Sequence, residues 1–136
     1  MGKLIVDFGL VILIWMTQLV VYPSFTYYSE SNLYGWHQKY TTAISIIVMP
    51  LMLSQVAMHG YGLYQSFSLF KLISAILIGL IWINTFFYAV PLHNKIGMNQ
   101  EVLASAAQLV KVNWFRTISW SVVFLLGLYE FLRNQG

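Results

Sequence analysis

With 136 residues, of which 59% are hydrophobic, 17% aromatic and only 8% charged, the chain has too little polar surface to cover a water-facing globule, since soluble domains carry about 25% charged residues. Its seven basic and four acidic residues give a formal net charge of +3 but are scattered, so neither nucleic-acid binding nor a polybasic lipid anchor has a tract to rest on. Cys is absent, which excludes disulfides, thiolate metal sites and thiol nucleophiles.

Four apolar runs remain, each close to the ~20 residues needed to cross a hydrocarbon core. They predict an all-α membrane protein, a single domain over 1–136 built as an up-down-up-down bundle of four transmembrane helices. The first helix is expected over 4–22, where Pro23 discourages continuation. Asp7 and Gln18 interrupt this run, and bulky Tyr22, Phe25 and Tyr27 stand where a signal peptide would carry small cleavage-site residues, so it reads as a membrane helix. A polar, aromatic connection from Ser24 to Lys39 leads into a second helix over 40–58. Pro50 at its middle removes a backbone donor and predicts a kink, with Ser45 and Ser54 placed to satisfy part of the freed backbone.

A short turn, His59 to Ser66, makes the second and third helices antiparallel neighbours. The third is expected over 68–90, stopped by Pro91, and the fourth over 111–132. Between them the Ala-rich stretch from Gln100 to Val110 favours helix, either as a short interfacial segment or as an extension of the fourth span. No internal repeat stands out. The basic residues divide three against four, Lys3, Lys71 and Arg133 against Lys39, Lys95, Lys111 and Arg116, so the positive-inside rule leaves orientation open. The expected setting is a multi-pass protein of a bacterial inner membrane, surrounded by lipid.

Alternating spans bring the end of helix one, the start of helix two, the end of helix three and the start of helix four into one leaflet. Polar residues concentrate there. Gln18 and Tyr22 come from the first helix, and Trp36, His37, Tyr40 and Thr41 from the start of the second. Asn84 and Tyr88, four apart, come from the third, followed by His93 and Asn94. Asn113, Arg116 and Trp120 form one stripe on the fourth. An Arg inside a span costs roughly 2.5–3.5 kcal/mol at a helix centre unless it finds partners or snorkels. This predicts a pocket whose ligand-binding residues are Tyr40, Asn84, Tyr88, Asn94, Asn113 and Arg116, capped by His37 and His93, with His37, His93 and Arg116 as catalytic candidates. Hydrogen bonding between helices without any site is the bland alternative.

At the opposite face His59 reads as an interfacial turn residue, with Asp7 placed to pair with Lys71. No His pair with metal-clamp spacing occurs on any helix. No metal or other cofactor is therefore assigned, although His37 and His93 leave a haem between them open.

The second half resembles the anthrone oxygenase-like family of small integral membrane proteins. Val90-Pro91-Leu92-His93-Asn94-Lys95 is similar to that family's Pro-Leu-Asn-Asn-Arg turn, and Asn113-Trp114-Phe115-Arg116-Thr117 to its Asn-x-x-Arg signature. Tyr22-Pro23 and Met49-Pro50-Leu51 are fainter echoes. His93 departs from the family's usual Asn, and the Trp that commonly precedes the signature is missing at the matching distance. The resemblance implies a four-helix membrane protein and, in characterised members, oxidation of an aromatic anthrone by dioxygen.

Two functions follow. One is an oxygenase or oxidoreductase acting on an aromatic or quinone-like substrate, with His37 or His93 as base and Asn113 and Arg116 stabilising an oxyanion. The other is a non-catalytic subunit that binds an apolar ligand or a larger membrane complex, using small-residue surface such as Ser74, Ala75 and Gly79.

Overall fold

The computed structural model describes all 136 residues. Four helices, each long and apolar enough to cross a membrane, follow one another as α1 (Gly2–Tyr27), α2 (Glu30–Gln65), α3 (Leu69–Gly97) and α4 (Val102–Gln135). Turns of two to four residues join them, so consecutive helices run antiparallel, as an up-down-up-down bundle requires. α4 packs on both α1 and α3, α2 packs on both from the other side, and α1 and α3 face each other across the diagonal with the least contact. The chain is a multi-pass integral membrane protein.

The helices outrun the apolar stretches at nearly every end. The expected connection at Ser24 to Lys39 shrinks to a turn at Tyr28 and Ser29, where the Ser29 hydroxyl accepts from the Asn32 amide at 3.4 Å and caps α2. The expected turn at His59 to Ser66 is helical through Gln65, and Ser68 caps α3 by accepting from the Lys71 amide at 3.3 Å. α4 begins at Val102 rather than Lys111, so the Ala-rich stretch extends the fourth span. Hydropathy marks only the lipid-facing length; backbone hydrogen bonding continues beyond it wherever a cap is within reach.

Pro23 and Pro91 do not end their helices. Each follows a wider, π-helical turn, at Thr17–Val21 and at Thr85–Ala89. A proline clashes with the carbonyl four residues back and cannot donate to it, and the widened turn absorbs the misfit. Both turns open with a threonine that donates to the carbonyl four residues earlier, Thr17 to Leu13 and Thr85 to Ile81, each at 2.8 Å. The two threonines, like the two prolines, stand half the chain length apart. The molecule is thus a tandem pair of helical hairpins, a repeat hidden at the level of residue identity. Pro50 lies inside a continuous α2, with Ser45 donating to the Thr41 carbonyl at 2.6 Å.

Two buried apolar clusters hold the bundle. One joins Leu10, Ile14, Met52, Ile81 and Trp120; the other gathers Phe25, Leu33, Ile96, Ala106 and Leu109 at the end opposite the termini. Near the termini α1 and α4 approach closely at the buried Gly127, where a Cβ would meet Leu4 at 3.4 Å and the Asp7 carboxylate at 3.6 Å. Gly127→Leu is expected to overpack this contact and lower stability by about 1–3 kcal/mol, read as thermal unfolding in detergent. Gly79→Leu, whose Cβ meets nothing within 4 Å, is the control expected to leave the midpoint in place.

Candidate functional site

A cavity of about 640 Å³ opens between the four helices, a volume typical of small-ligand sites. Its wall is apolar along α2 and α3, where Ile44, Val48, Met52, Trp82 and Phe86 face it. Its polar end is assembled from all four helices. α1 supplies Tyr22, α2 supplies His37 and Tyr40, α3 supplies His93, and α4 supplies Arg116 and Trp120.

Tyr22, His37, His93, Asn113 and Arg116 form one connected network. Arg116 Nη2 donates to Asn113 Oδ1 at 2.6 Å and to the Tyr22 hydroxyl at 3.2 Å. The Tyr22 hydroxyl lies 3.0 Å from His93 Nε2, and His93 Nδ1 lies 2.7 Å from His37 Nε2. Arg116 only donates, so Tyr22 accepts from it, and the tautomers of the two histidines set the direction of the remaining two bonds. Behind Arg116, Asn113 and Thr117 both donate to Gln18 Oε1, at 3.0 and 3.1 Å, and Gln18 donates to the Val110 carbonyl at 3.0 Å. That carbonyl is a third point of contact on α4, so Gln18 locks α1 to α4 just beneath the site.

The charge of Arg116 has no counter-ion. The chain has four acidic residues: Asp7 pairs with His59, Glu101 with Lys95, Glu130 with Lys3, and Glu30 lies exposed at the start of α2. Arg116 is only 7% exposed, and its Nε is buried with no hydrogen-bond partner. Because α4 starts at Val102, the residue stands about four turns into the helix rather than one.

Among the residues expected to meet, His37, His93, Tyr40, Asn113 and Arg116 are gathered here, and both histidines sit on helices rather than in connections. Asn94 is exposed at the cavity rim. Asn84 and Tyr88 stay outside the cluster. Asn84 is half-buried with its Oδ1 unpartnered and bonds neither Asn113 nor Arg116, while Tyr88 is 57% exposed. The π turn over Thr85–Ala89 breaks the regular spacing that would have stacked the two on one face. His37 and His93 are bonded directly at 2.7 Å, whereas nitrogens flanking a metal stand about 4 Å apart at ~2.0 Å per bond. As arranged, the pair does not fit a haem iron between its rings.

A second buried cluster escaped the sequence reading. His59 is not an interfacial turn residue: it is 4% exposed, and its Nε2 lies 2.9 and 3.1 Å from the two oxygens of Asp7. Gln55 also donates to Asp7, at 2.7 Å, and the Trp120 indole donates to Gln55 Oε1 at 2.8 Å. Lys71 instead reaches back to Ser66, bonding its hydroxyl and its carbonyl. The signal was present in the spacing of Gln55 and His59, one turn apart on the same face of α2. Trp120 therefore touches both clusters, as a wall of the cavity and as the last donor of the Asp7 chain.

The fold and these interior clusters define a four-helix integral membrane protein with polar side chains turned inward. No protein-family model, no curated protein and no solved structure matches the chain.

Proposed function

We propose that the protein binds a lipid-soluble molecule carrying an oxyanion, its apolar body against α2 and α3 and its oxygen at Arg116 in one leaflet. The observation that supports this is a buried guanidinium with no acidic partner, lining a cavity and keeping one N–H group unpaired. A buried charge costs several kcal/mol unless it is compensated, and an ionisable residue inside a membrane span marks a functional site by default. An enolate, a phenolate or a lipid acid group supplies the missing charge. Tyr22, Tyr40 and His93 then surround the same oxygen, and Trp82 and Phe86 suit a flat ring.

A second reading adds chemistry at this place. The resemblance to anthrone oxygenase-like proteins, together with the His37–His93 pair at the cavity wall, supports oxidation of an aromatic ketone by dioxygen. A histidine takes a proton from the ring methylene, Arg116 holds the resulting enolate oxygen, one atom of dioxygen becomes the new carbonyl oxygen, and the other leaves as water with the two methylene hydrogens. Asn113 positions Arg116 through the 2.6 Å hydrogen bond.

Native mass spectrometry of protein extracted with its surrounding lipid tests the first reading. The expected result is one co-purifying compound, anionic on release, that is lost from Arg116→Gln. Retention of an uncharged compound that is indifferent to Arg116→Gln would overturn it. A stoichiometric second polypeptide in place of the small molecule would reassign the chain as a subunit of a larger membrane complex.

A further inference from the structure

We infer that His59, oriented by Asp7, is the hydrogen-bond acceptor of a second ligand site, at the bundle end carrying the termini, for a lipid-soluble molecule bearing a hydroxyl group. The site is a cavity of about 460 Å³ between α2 and α3, lined by Leu53, Val56, His59, Gly60, Ile78 and Gly79 among others. It shares Trp82 with the larger cavity but does not depend on the oxyanion reading.

The chemistry follows from the Asp7–His59 geometry. A carboxylate only accepts, so the His59 nitrogen placed 2.9 and 3.1 Å from the two Asp7 oxygens, Nε2, carries the hydrogen. A ring whose single hydrogen points at Asp7 has its lone pair at Nδ1, and Nδ1 makes no hydrogen bond within the protein. Asp7 fixes both the tautomer and the ring direction, as carboxylates do for histidines that ligate or catalyse. Gln55 fixes Asp7 in turn, at 2.7 Å. The result is a rigid acceptor on a residue 4% exposed, at the wall of a largely apolar space that Trp82 also lines.

Cost and access argue in the same direction. Asp7 and His59 are held at 0% and 3% side-chain exposure, in helices surrounded by hydrocarbon, where packing alone would be served as well by apolar residues. Gly60 and Gly79 leave the groove open, for a Cβ at either would meet nothing within 4 Å. A site with an apolar wall, an acceptor at His59 and the unpartnered Trp82 Nε1 donor selects an apolar body with a single hydroxyl, which both donates and accepts. Phenols and long-chain alcohols have that form.

The test uses the full chain in lipid nanodiscs with 15N-labelled imidazoles, the His59 signals being assigned by His59→Gln, and 4-nonylphenol as the probe. The expected result is a titration of the His59 Nδ1 resonance, with the 4-nonylphenol methyl ether binding about tenfold more weakly for want of the donated hydrogen. Gly79→Phe puts a ring into the groove and leaves Asp7 and His59 themselves unchanged. It is expected to keep the parent's thermal unfolding midpoint and to abolish the titration. Equal response to phenol and ether, a parent-like titration in Gly79→Phe, or movement of the His37 and His93 signals in place of His59 would each overturn the assignment.

Discussion

Arg116→Leu is expected to remove the bound compound and leave the bundle as stable as before, or more so. The ligand loses charge-assisted hydrogen bonds of about 1.5–3 kcal/mol each, which corresponds to roughly a hundredfold in affinity for one or two of them. The fold loses the charge-assisted bonds from Arg116 to Asn113 and Tyr22, each worth about 1.5–3 kcal/mol. Against this it no longer buries an uncompensated cation, and exchange of buried charge for a hydrophobe of similar volume is often neutral or stabilising by about 1–4 kcal/mol, a net figure that already contains the bonds lost with the charge. Arg116→Ala differs, because it leaves a void beside the fully buried Asn113 and Thr117 and is expected to lower the unfolding midpoint. Occupancy by native mass spectrometry and thermal unfolding in detergent read the two effects separately. If the Leu variant unfolds as early as the Ala variant and keeps its bound compound, Arg116 is a structural residue and the oxyanion site is refuted. Residues that serve a ligand commonly cost the empty fold stability, and this pair of variants separates the two roles.

Four spans and their alternation were legible because lipid leaves so few choices: every backbone group is satisfied within its own helix, and each apolar run near twenty residues becomes one. Alternation alone was then enough to place His37, His93, Tyr22, Gln18, Asn113 and Arg116 at one end of the bundle, where they form a network. Proline was the misleading signal. Pro23 and Pro91 read as stops, yet the preceding turns widen and carry the helices on, which draws His93 into α3 and moves Tyr88 off the face of Asn84. That adjustment depends on backbone room supplied by neighbouring helices, and no local pattern encodes it. The Asp7 pairing was missed for a different reason. Opposite formal charge suggested Lys71, but Lys71 lies at the helix start, where Ser66 satisfies it. A carboxylate buried several residues inside α1 takes as its partners the polar residues at its own depth, Gln55 and His59. Depth in the bilayer, rather than sign of charge, selected the pair.

Removal of Asp7 is expected to have the largest effect on stability of any single change in the bundle. The carboxylate is fully buried and accepts from both Gln55 and His59, so Asp7→Leu leaves two donors facing hydrocarbon with nothing to receive them. Leaving a buried donor unsatisfied costs about 1–3 kcal/mol, and here there are two. Interhelical hydrogen bonds in membranes average only ~0.6 kcal/mol because the separated helices also find partners, but that average describes neutral pairs with alternatives, and no other acceptor is bonded to these two donors. The larger figure therefore applies. Asp7→Asn keeps one acceptor oxygen and turns an amide N–H against the other donor, so an intermediate loss is expected. Further along the chain Gln55 would be released from Asp7 and Trp120 from its fixed acceptor, carrying the disturbance to the wall of the larger cavity. The decisive comparison is Asp7→Leu combined with His59→Leu: taking out both partners removes most of the unsatisfied polarity, so the double variant should unfold later than Asp7→Leu alone. Losses that simply add would show that the two side chains are independent, and that the 2.9 Å approach between them carries no coupling.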